Sequence, residues 1–67
     1  MPHYLVYLSH DDVRRATTIL GGTAGIDHVE GFEFRVEFEA ARRILHGAEM
    51  IGDATLTRAL RAAFVRA

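Results

Sequence analysis

The side chains able to do chemistry in this chain are few, and their spacing decides what each can do. Four histidines stand at His3, His10, His28 and His46. No two share a helical ligand spacing, and the His-Glu-x-x-His arrangement that puts two imidazoles on one zinc ion is missing. His10-Asp11-Asp12 is dense in ligand types, but all three are neighbours at a helix start, where capping accounts for the acids. His28 and Glu30 stand two apart on a strand and could converge with a group from elsewhere; solvated surface histidines and a cross-strand His28–Glu33 pair account for them more simply. Neither a metal nor a cofactor is expected. Ser9 is the one serine, and a helix cap explains it; Thr17 and Thr18 fall within a helix. Gly21-Gly22-Thr23-Ala24-Gly25 could cradle a phosphate. It follows a helix and leads into a strand, however, the reverse of the order that aims a helix N-terminus at an anion. Nothing here assembles a catalytic constellation.

Arginine supplies the remaining chemistry. All eight basic residues are Arg and none is Lys, so every such cation is a planar fork suited to bidentate contact with carboxylate or phosphate. Arg42 and Arg43 fall on one helical segment and Arg58 and Arg61 on the next, outside both apolar stripes. With those helices side by side, the four would form one positive surface, a docking site for an acidic protein or for phosphates. An ordinary solvated face is the alternative.

The elements that must carry these residues are legible one by one. His3 to Leu8 is apolar on both alternating faces after His3, which suits a central strand covered on both sides. Ser9 with Asp12 three residues on forms a capping box with Asp in place of Glu. Val13, Ala16, Thr17 and Leu20 then make one helical stripe, ended by Gly21-Gly22. Ile26 to Val29 predicts a short strand and Glu30-Gly31 a hairpin turn, setting Val29 opposite Phe32 and His28 opposite Glu33. A change of one residue in that loop would turn His28 to the apolar face. Phe32, Phe34, Val36 and Phe38 alternate with Glu33, Arg35 and Glu37, so the Phe and Val side chains should be buried. A helix over 39–49 carries Ala41, Ile44, Leu45 and Ala48, weakened near its end by Gly47. Gly52 breaks it, and Asp53 caps a last helix striped by Leu56, Ala59, Leu60, Ala63 and Phe64.

The order is β-α-β-β-α-α in one domain spanning 1–67. It implies an α+β fold, a three-stranded antiparallel or mixed sheet backed by helices. Its opening resembles the ferredoxin-like split βαβ unit. That fold needs a fourth strand, for which only Ala48 to Ile51 is at hand. The second half, a strand at 32–38, a helix at 39–49, then Gly52 and Leu56-Thr57-Arg58-Ala59-Leu60-Arg61, resembles the ribbon-helix-helix DNA-binding family. That resemblance implies paired strands entering a major groove with Glu33, Arg35 and Glu37 outward. A dimer would bring four carboxylates and two guanidinia to the phosphates, against the electrostatic attraction that drives DNA binding.

Composition bounds the rest. The chain has 67 residues, no cysteine and 49% hydrophobic residues, which excludes disulfides and thiol catalysis and argues against disorder. No apolar run reaches membrane-span length and no signal-peptide pattern opens the chain, so a cytoplasmic protein without a membrane partner is expected. Residues 1–39 hold three Arg against seven acids, a net −4. Residues 40–67 hold five Arg against Glu49 and Asp53, a net +3. Such polarity fits a charged partner or head-to-tail self-association. A domain this small with six aromatic residues is expected to be a homodimer or larger. The leading expectation is a small non-enzymatic protein-interaction domain, an adaptor, inhibitor or regulatory subunit, meeting a protein partner or itself. The alternatives are a nucleic-acid-binding regulator and a small-molecule or metal binder.

Overall fold

A computed structural model describes residues 2–66. Among these, three strands, β1 (His3–Tyr7), β2 (Ile26–Glu30) and β3 (Glu33–Glu37), and three helices, α1 (His10–Leu20), α2 (Phe38–Ile51) and α3 (Ala54–Arg66), follow in the order β1-α1-β2-β3-α2-α3. The sheet is antiparallel throughout, with β3 in the middle and β1 and β2 at its edges. This is the expected α+β class. Its β1-β3-β2 order agrees with the split βαβ opening. Ala48 to Ile51 stays helical, so no fourth strand forms among the described residues.

Each boundary has a local cause. Ser9 Oγ accepts from the Asp12 amide, and the Asp12 carboxylate accepts from the Ser9 amide, both at 3.1 Å. Gly21 ends α1 in the left-handed region at φ 79°, where a side chain is strained. Asp53 Oδ1 caps α3 by accepting from the Leu56 amide at 3.1 Å. Gly47 does more than weaken α2: a Cβ there would run into Cγ2 of Ile19, so its bareness sets how closely α1 and α2 approach.

Val6, Leu8, Val36, Ile44, Leu56 and Leu60 are sealed from solvent, and Phe34 is buried with them. They lie between one face of the sheet and the helices. The other face is open, and several expectations change. β1 is an edge strand, not a central one covered twice: Leu5 is 43% and Tyr7 52% exposed. One layer of helices covers one side of a sheet, and β3 took the middle. The hairpin turn is Gly31-Phe32 rather than Glu30-Gly31, because β2 is irregular between His28 and Glu30 and pairs Glu30 with Glu33. That shift sets His28 opposite Phe34, not Glu33, and leaves Phe32 at 63% exposure. Phe38 leaves the strand to open α2 and is only half-buried. Of the expected buried stripe, Phe34 and Val36 are in the core, while Phe32 is on the surface.

Candidate functional site

The parity of the ladder decides what β1 offers. Leu8 N–H donates to Phe32 at 2.9 Å and Phe38 N–H donates to Pro2 at 3.0 Å. These bracket the β1–β3 pair and assign the even residues of β1 to bonding with β3. His3, Leu5 and Tyr7 therefore direct their amides and carbonyls to the free edge. Along this edge lies α3, whose Phe64 ring meets Tyr4 edge-on at 4.6 Å. Arg66 in its last turn donates from Nη2 to the Leu5 carbonyl at 2.8 Å and lies 5.2 Å from the Tyr7 ring centre.

The four arginines proposed for docking are all exposed and divide into two pairs. Arg42 and Arg43 line a shallow groove with Ile19, Glu39, His46 and Gly47. Arg58 and Arg61 line another along α3 with Ala62, Val65 and Arg66. The first groove is largely self-satisfied. Arg42 pairs with Glu39 at 3.6 Å and lies over the Phe38 ring, and Arg43 donates to the Leu20 carbonyl at the end of α1. On α3, Arg61 pairs with Glu49, and Arg58 has no acidic partner among the described residues. α3 contains no acid, and Val65 stands 86% exposed beside the arginines. It is a basic and apolar face.

Arg15 is an arginine that spacing did not single out. Its Nε reaches Asp53 at 2.6 Å and its Nη2 reaches Asp12 at 2.6 Å. It thus ties the N-terminal caps of α1 and α3 together. The Asp53 carboxyl is held below the usual carboxylate range, first by the Arg15 guanidinium and then by the Leu56 amide. The same carboxylate raises Arg15. Both acids were legible as caps, but a cation shared between two caps has no one-dimensional signature.

The other candidates take up structural roles or scatter. His28 packs against Phe34 with the rings tilted and their centres 5.0 Å apart, and its Nε2–H donates to the Gly31 carbonyl at 2.9 Å. His3, His10 and His46 are exposed on separate elements. No three potential metal ligands lie together among the described residues. The glycine loop meets the N-terminus of α2, where a Cβ on Gly25 would come within 2.9 Å of Ala40. The Glu37 carboxylate already accepts from the Glu39 and Ala40 amides there, so the anion position of that helix is filled from within. No described helix is long and apolar enough to cross a membrane. Compared with protein-family models, curated proteins and solved structures, the chain finds no match.

Proposed function

We propose that this chain is a non-enzymatic protein-interaction domain, of the adaptor, inhibitor or regulatory-subunit kind, which meets an acidic protein surface through α3. The observation that carries this reading is the acid-free outer face of α3. There Arg58 and Arg66 are free of acidic partners among the described residues and flank exposed Ala62 and Val65. A surface of that kind adds encounter rate and specificity through its charge, and contact area through its apolar atoms. A second copy is one such partner, since Asp27, Glu30, Glu33 and Glu37 belong to the sheet.

Self-association in this reading concerns surfaces and not an unfinished core. The chain exposes 4270 Å², close to the roughly 4,250 Å² expected of a compact monomer of its mass. Nucleic acid is the weaker candidate. A ribbon reader pairs its strand with a second subunit, whereas β3 has β1 on one edge and β2 on the other.

Fluorescence anisotropy with labelled polyglutamate and a labelled DNA duplex tests the reading. Polyglutamate should bind, weaken with salt, and lose most of its affinity when Arg58→Glu is introduced. Tight duplex binding with a steep salt slope, absent for polyglutamate, would replace this function with the nucleic-acid one.

A further inference from the structure

Resting on that reading, the structure assigns the β1 edge as the binding line itself: an extended acidic segment of a partner protein joins the sheet as a fourth strand, admitted by Arg66. Three observations converge on it. The outward groups of His3, Leu5 and Tyr7 form an edge that no strand covers among the described residues, a ready template for another strand. The Leu5 carbonyl, at the middle of that edge, is occupied by the guanidinium of Arg66. The helix alongside is basic and free of acid.

Charge decides the occupant. A neutral strand claiming the Leu5 carbonyl would displace Arg66 and give it nothing in return. A strand with a carboxylate near Leu5 offers Arg66 a charge-assisted partner, stronger than its neutral carbonyl acceptor. The carbonyl is then free for the incoming amide. Arg66 thus guards the edge against neutral strands and recruits acidic ones. A second copy pairing β1 with β1 would bring two such α3 helices toward one two-fold axis, Arg58, Arg61 and Arg66 against their equals, and is disfavoured by like charge.

The test uses three labelled peptides: seven residues alternating Glu and Val, the same with Gln for Glu, and the acidic peptide with every amide N-methylated. Wild type should bind the acidic peptide about tenfold more tightly than the Gln peptide at low salt, and the N-methylated peptide not at all. Arg66→Ala, with its fold checked by circular dichroism, should reduce the acid preference to less than about threefold. Equal binding of the N-methylated peptide would overturn strand addition while leaving the interaction function standing. Equal binding of the acidic and Gln peptides by wild type would overturn the role of Arg66. A dimer mass in light scattering that excludes the acidic peptide would make a second copy the occupant and overturn the inference.

Discussion

Both faces of the sheet carry apolar side chains and use them differently. On the helix side Val6, Phe34 and Val36 are buried against α2 and α3. On the open side Leu5, Tyr7 and Val29 lie exposed among Arg35, Asp27 and Glu33. The same residue types stabilise the fold on one side and stay available on the other. What separates them is whether a helix lies above, and that is a matter of topology rather than composition.

The largest test of this contrast is a pair of phenylalanines two residues apart. Phe34→Ala should cost about 3–5 kcal/mol, against a total of about 3–10 kcal/mol for a chain this size, and leave much of the protein unfolded in a circular-dichroism melt. Phe32→Ala should stay within about 0.5 kcal/mol of wild type. Similar losses at both would mean that Phe32 is covered.

The covering layer itself can be loosened at Gly47. Although alanine favours a helix, Gly47→Ala should destabilise by about 1–3 kcal/mol through its collision with Ile19. The double variant with Ile19→Ala should cost less than the sum of the two, as read from urea midpoints. Additivity would show that α1 and α2 have room to spare.

Arg15 and its two carboxylates hold the same layer at its other end, and pH sharpens their part. A carboxyl whose folded pKa is lowered adds stability that is complete above its unfolded value, about 3.9. That stability is lost as pH falls through the lower folded value. The excess stability of wild type over Asp53→Asn should therefore shrink as pH falls below about 4, measured by urea melts at each pH. Asp53→Ala, which also removes the cap of α3, should cost about 0.5–2 kcal/mol at neutral pH. A pH-independent gap between wild type and Asp53→Asn would contradict the clasp. The smallest effect on folding belongs to the functional face. Arg58→Glu should move stability by no more than about 0.5 kcal/mol while removing binding to acidic chains.

Most elements were legible because their signals are local. Ser9, Gly21, Gly52 and Asp53 end or begin helices through bonds to residues within a turn, and the stripe from Leu56 to Phe64 reports one helix face. Misread features depended on what came to lie alongside. The apolar run from Tyr4 to Leu8 resembles a doubly covered strand, but nothing within it records that only one side receives helices. Phe32 continues the alternation of Phe34 and Val36, yet the irregularity at His28–Glu30 moved the turn onto it. The arginines of α2 and α3 were readable as exposed. Their partners Glu39, Leu20 and Glu49, and the reach of Arg66 to Leu5, required the fold.

Amide hydrogen exchange along β1, followed by NMR on the free chain, bears most directly on the claim that this strand is a free edge. The ladder assigns the amides of Tyr4, Val6 and Leu8 to bonds with β3 and leaves those of His3, Leu5 and Tyr7 outward. Protection should alternate, slow at the even positions and fast at the odd ones, with Leu5 and Tyr7 slowing when an acidic peptide is added. Uniformly slow exchange across residues 3–7 in the free chain would contradict it, because the edge would already be paired.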